Sequence, residues 1–290
     1  MRRFAQARLL LLAGGASLVL LATGTAPALG TSTTTCTGDL SALPGSAGTI
    51  KGTYSGNVVV NGACAVDAGS ATINGNLILS PNATVVAAFA SDNLTVKGSI
   101  QIKDGAALIM GCNPESFPCV DNAGGTATAK VLKNLMAEAP LGLVVHNTLV
   151  SGKEVVDGGG GGATCDSSPG VFGVFGSPAY VDDEDTTVHG NYTIENVQTC
   201  WLGTLRVKVG GNLTDMNNTM ADPDAGEVVA NVVGGNISCS GNSPAVQYGD
   251  SGAAPNEVRG SASGECGFNV LSPDPDYDGG GPQPISVKSP

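Results

Sequence analysis

The sequence reads as an all-β chain, a parallel β-helix (solenoid) with disulfide-stapled ends and a short helical insertion. Three observations carry that reading. Strand-like runs recur behind Gly-Asn pairs, and once behind Asp92-Asn93: Asn57, Asn76 and Asn93 stand 19 and 17 residues apart, and Asn191, Asn212 and Asn236 stand 21 and 24 apart. A period of that size is the mark of stacked repeats. The composition agrees, because only 13% of the 290 residues are charged and 4% aromatic while 43 are Gly. Stacked coils share a thin aliphatic core and need Gly and Asn at their corners, where left-handed backbone is common. The third observation is eight Cys, spaced so that chain neighbours pair.

In chain order, residues 1–28 form a secretory signal, with Arg2, Arg3 and Arg8 ahead of the apolar run Leu9 to Leu21 and a small-residue cleavage site at Ala26-Pro27-Ala28. The run is short, and no stop-transfer charges follow it, so an anchor helix is the weaker reading. Residues 29–270 then make one solenoid domain. Its first runs are Val58-Val59-Val60, Leu77-Ile78-Leu79 and Leu94-Thr95-Val96, followed by Ile100, Ile102, Leu108 and Met110 in alternation. Residues 129–139 place Val131, Leu132, Leu135, Met136 and Ala139 at helical spacing, which predicts the short amphipathic helix ahead of Pro140. A Gly-rich loop covers 157–163. The repeat resumes at Gly190-Asn191, and residues 271–290, with three Pro after 280, read as a disordered tail.

An even Cys count on an exported chain implies disulfides rather than metal, since no C-x-x-C or Cys/His cluster exists. Stacked local elements favour sequential pairing: Cys36 with Cys64, Cys112 with Cys119, Cys165 with Cys200, Cys239 with Cys266. The first and last pairs close segments of 28 and 27 residues with similar surroundings, Cys36-Thr37-Gly38-Asp39 and Cys239-Ser240-Gly241-Asn242. They read as staples that protect the open ends of the solenoid. A sandwich of antiparallel hairpins is the competing architecture.

The formal charge is -12, and losing the three Arg of the signal makes it -15, with 10 basic and 25 acidic residues left. Such a chain is no nucleic-acid binder. Beyond the signal no apolar run could span a membrane, which leaves cell wall or glycan as the expected contact, in an extracellular setting. No cofactor fingerprint, Walker loop or nucleophile elbow is present. The triplet Asp274, Asp276 and Asp278 resembles the first half of a calcium loop, but Ile285 stands where the closing Glu belongs. Asp222, Asp224 and Glu227 form a looser acidic set. Six N-glycosylation sequons fall mostly inside the repeat motif, so a structural origin suffices for them.

Two resemblances add to this. Asp182-Asp183-Glu184-Asp185, His189-Gly190 and Arg206-Val207-Lys208 resemble, in that order, the paired-Asp, His-Gly and Arg-x-Lys motifs of polygalacturonase-type glycoside hydrolases. That resemblance implies Asp182, Asp183 and His189 at a glycosidic bond and Arg206 and Lys208 on a uronate. Its spacing departs from the pattern, since His189 follows Asp183 by 6 residues where groups from neighbouring coils need about a full coil. A solvated acidic loop is the simpler expectation. Separately, Trp201 beside Cys200 offers a flat face for a sugar ring, although packing against a disulfide is the commoner role for such a residue. The second resemblance rests on Cys239-x-Gly241-Asn242-x-Pro244, Asn256-x-Val258-x-Gly260 and Gly264-x-Cys266. These look like uncharacterised secreted β-helix-repeat proteins of high-GC Gram-positive bacteria, which implies a right-handed parallel β-helix and no particular activity. The function expected is therefore a secreted, non-enzymatic structural or surface solenoid serving adhesion or matrix packing, with a carbohydrate-active or carbohydrate-binding β-helix as the alternative.

Overall fold

The computed structural model describes residues 32–42, 47–166, 170–247 and 255–269, with short strands at 283–284 and 286–287. The expected export signal and the calcium candidates Asp274, Asp276 and Asp278 lie outside the described residues, as does most of the expected tail. The chain winds into a parallel β-solenoid of about nine turns. Each full coil gives one strand to each of three sheets, A, B and C, holding ten, eight and ten strands. Coil 1 has Thr33–Cys36, Gly48–Thr49 and Gly52–Tyr54; coil 2 has Asn57–Val60, Ala63–Ala65 and Ala71–Ile73. Every contact between coils within A, B and C is parallel and in register, for example Ile100 on Leu77 and Leu135 on Ile100.

Alternation decides what lies inside. Along sheet A one inward row runs Val58, Leu77, Ile100, Leu135, and sheet B answers with Cys64, Val85, Leu108, Leu143. All eight are fully buried. A single coil could not bury such a row, so each coil depends on its neighbours for its core.

The Gly-Asn pairs sit at the corner leading into sheet A. Asn57 Oδ1 accepts from the Asn76 amide at 2.8 Å, and Asn76 Oδ1 from the Ser99 amide at 2.8 Å. In the later coils Asn191 accepts from Asn212, Asn212 from Asn236, and Asn236 from Ser261. This side-chain ladder continues the backbone ladder around a bend where strand pairing stops. The Gly is required by space, because a Cβ on Gly75 would overlap Asn57 Oδ1 and the Gly56 carbonyl carbon. The corner after sheet B needs left-handed backbone instead, supplied by Gly111, Asn147, Asp185, Arg206 and Ala230 in successive coils.

All four disulfides join the expected partners. Cys36–Cys64 ties the first coil to the second, and Cys239–Cys266 ties coil 9 to the turn that follows it. The helix expected at 129–139 is corrected. That segment forms two strands, Ala129–Val131 in sheet C and Leu135–Glu138 in sheet A, with a corner at 132–134. Period-two burial on both sides of a three-residue corner imitates helical spacing, and it leaves Leu132 44% exposed where a helix would have buried it. The one described α-helix is Gly170–Phe175, which follows the glycine run in an excursion between sheets A and B. Val171 and Phe172 from this helix pack with Ile109, Val144 and Tyr180 on the outer face of sheet B. A second excursion, 112–128, closed by Cys112–Cys119, covers the same face.

Candidate functional site

The densest polar grouping lies where strand Tyr180–Glu184 of coil 6 crosses sheet B between Gly142–His146 and Trp201–Leu205. Alternation splits its acids. Val181 and Asp183 face the lumen, whereas Asp182 and Glu184 face outward under the 112–128 excursion. Asp182 and Asp183 therefore stand on opposite sides of one sheet and cannot flank a single bond.

On the outer side His146 Nε2 meets Asp182 Oδ2 at 2.9 Å, and both residues are buried. Phe117 stacks on the imidazole, with ring centroids 4.7 Å apart. Glu184 and Asp185 both grip Arg206, and Asp185 also accepts from Ser116 Oγ at 2.9 Å. Burial pushes the Asp185 carboxyl up, but its bonds from Arg206 and Ser116 outweigh that and hold it below its ordinary value. Glu184 goes the other way: burial and Asp182 raise it more than His146 and Arg206 lower it. The hydrogen bond to Asp185 comes first among the interactions that raise the Arg206 guanidinium, which stays charged. Asn113, Ser116, Glu184, Asp185 and Arg206 line an open cleft of about 660 Å³. His146 is 1% exposed, so the imidazole is sealed beneath Phe117 and does not reach the cleft. Chemically this is a fastening, in which an ion pair and a buried His-Asp contact hold a disulfide-closed loop on the sheet.

The remaining residues of the expected set lie elsewhere. His189 and Lys208 line a shallow hollow on sheet C with Arg259. Trp201 is half-buried on the outer face of sheet B, where its ring lies over Gly203 beside Leu205. Asp222 approaches the Cys165–Cys200 bond, whose sulfurs are already bonded to each other, while Asp224 accepts from Gln247. Of the sequon Asn residues, Asn191, Asn212 and Asn236 build the corner ladder and Asn93 accepts from Thr128. Asn82 and Asn217 occupy left-handed corners.

Inside the lumen is a group that no motif announces. Glu154, Asp183, Tyr192, Thr204 and Asp215 are each 0% exposed. They interrupt otherwise apolar ladders: Glu154 follows Leu135 in sheet A, and Asp183 follows Val145 in sheet B. The signal was present in the repeat itself. Gly75-Asn76-Leu77 becomes Gly152-Lys153-Glu154 and Gly190-Asn191-Tyr192, with a polar group in the Leu slot. Desolvation pushes both carboxyls well above the ordinary carboxylate range; Asp183 adds repulsion at Glu154, while at Asp183 a contact from Thr186 lowers it and Asp182, Glu184 and Asp185 raise it.

The chain matches no protein-family model, no curated protein and no solved structure. Among the described residues no helix is long and apolar enough to cross a membrane.

Proposed function

We propose that this protein is a secreted structural solenoid that lays the outer face of sheet A on a polymer of the cell wall or extracellular matrix. The observation that carries the reading is the outward row of that sheet. Val59, Ile78, Gln101, Met136, Val155, Thr193, Thr214 and Ser238 follow one another in register over eight coils. Rungs about 4.8 Å apart make a flat surface with a repeat of its own, suited to a partner that also repeats. Around Met136 and Val155 the face is a shallow groove of about 470 Å³ edged by Lys103, Glu138, Lys153 and Asp157. Sheet B is covered by its two excursions, and sheet A has no such cover among the described residues. Four disulfides fit an oxidising, extracellular setting.

The glycoside-hydrolase alternative loses support from the division of Asp182 from Asp183 and from the placement of His189 and Lys208 in a separate hollow on sheet C. The test is co-sedimentation with insoluble wall and matrix polysaccharides, run beside a reducing-end assay for hydrolysis. Binding by the wild type that Met136→Lys with Val155→Lys abolishes, without sugar release, is the expected result. Release of reducing ends, or binding untouched by the double substitution, would overturn the proposal.

A further inference from the structure

The lumen of coils 6 and 7 holds more oxygen acceptors than donors. Glu154 on sheet A and Asp183 on sheet B belong to the same coil, and in the next coil Tyr192 lies in register with Glu154 and Thr204 with Asp183. None of the four side chains is exposed. Both oxygens of Glu154, both of Asp183, the Tyr192 hydroxyl and the Thr204 hydroxyl lack a hydrogen-bond partner. The Tyr192 hydroxyl lies among Glu154, Asp183 and Asp215, close to the Thr204 hydroxyl.

Buried polar atoms are almost always paired, and an orphaned cluster points to an unseen water or ion. Even with the buried Thr186 hydroxyl that reaches Asp183, three hydroxyls cannot satisfy four carboxylate oxygens, which only accept when ionised. No described Lys or Arg is buried, so the protein supplies no cation of its own there. One divalent cation would balance two carboxylates and leave the lumen neutral, and carboxylate with hydroxyl oxygen is the donor set of a hard ion.

We infer that the lumen between Glu154, Asp183, Tyr192 and Thr204 is a structural site for one divalent hard cation, enclosed when coils 6 and 7 close over it. Asp215, a coil further on, is engaged by Asn218 and stands outside this first set. Because walls of strand surround the site, the ion enters with folding and leaves with unfolding.

The test uses the disulfide-intact chain. It is dialysed folded against EDTA, and calcium, magnesium and manganese are then measured by elemental mass spectrometry. The expected result is about one divalent ion per chain, retained through that dialysis and released when guanidinium is added with EDTA. Refolding in EDTA is expected to lower the melting temperature by roughly 5–10 °C, with recovery when refolding is done in calcium chloride. Glu154→Gln with Asp183→Asn should retain no ion and melt alike with and without calcium. Asp274→Asn with Asp276→Asn and Asp278→Asn should keep the retained ion, which separates the lumen from the calcium-like triplet. A folded wild type with no retained ion, whose melting is indifferent to calcium during refolding, would overturn the inference, as would an ion lost only in the triple variant.

Discussion

Asp215 fills a slot that Val156 and Ile194 occupy in the two preceding coils, so a carboxyl replaces an aliphatic group in a continuous ladder. Burial is the main reason its pKa rises to about 7; Asn218 pulls it down and Glu265 pushes it up by less. A raised carboxyl pKa means that the native state keeps a proton the unfolded chain has given up. Stability is therefore full below about pH 4 and falls as the pH climbs to about 7. Asn imitates the protonated acid in shape and charge. Asp215→Asn should match the wild type near pH 3.5 and exceed it at pH 8 by a few kcal/mol, because each tenfold difference in proton affinity between native and unfolded chain is worth about 1.4 kcal/mol. Denaturant unfolding at the two pH values measures this, and an equal gap at both would refute it. Asp215 was legible in principle, as an Asp where the alternation calls for an aliphatic. His146 was not, because nothing near it in sequence announces Asp182 from the next coil or Phe117 from the excursion.

Among elements, the Gly-Asn corner shows why the repeat could be read at all. Two constraints fix it: the Asn side chain must bridge to the next coil, and the Gly beneath must admit that side chain. A constraint repeated in coil after coil leaves a periodic trace in the sequence. The 129–139 segment has no such trace, since its coil replaces Gly-Asn with Lys133-Asn134, and its corner imitates a helical turn. The excursions are likewise aperiodic and were legible only as interruptions. Gly75 and Gly52 separate the two reasons for Gly at corners. Gly52 has φ of 72° and open space around its Cβ position, so Gly52→Ala should cost about 1 kcal/mol through backbone strain. Gly75 needs no left-handed backbone but has no room, and Gly75→Ala must displace a neighbouring coil. It should cost about 2–3 kcal/mol, in the range of overpacked cores. Thermal unfolding of both variants checks the order, and a Gly75 variant no worse than the Gly52 variant would show that the ladder yields easily.

For the molecule as a whole, the same one-dimensional logic makes the ends the weak points. Each inner coil is held from both sides, but among the described residues the strand Thr33–Cys36 pairs on one side only, with Asn57–Val60. Three of its four residues are exposed, so such a coil should open by itself while the interior stays closed. Cys36–Cys64 spans 28 residues and Cys239–Cys266 spans 27, loops for which chain entropy gives roughly 3–4 kcal/mol each. A terminal coil, held by one neighbour rather than two, gains most from such a staple. Cys36→Ser with Cys64→Ser should accordingly raise hydrogen exchange across residues 33–65 and leave the strands from Leu77 to Leu213 nearly as protected as before. Cys239→Ser with Cys266→Ser should do the same for residues 237–266. A cooperative globular domain would respond differently, losing protection everywhere in proportion to the global loss. Uniform loss in either variant, or no change at the ends, would show that the termini are held by something other than their disulfides.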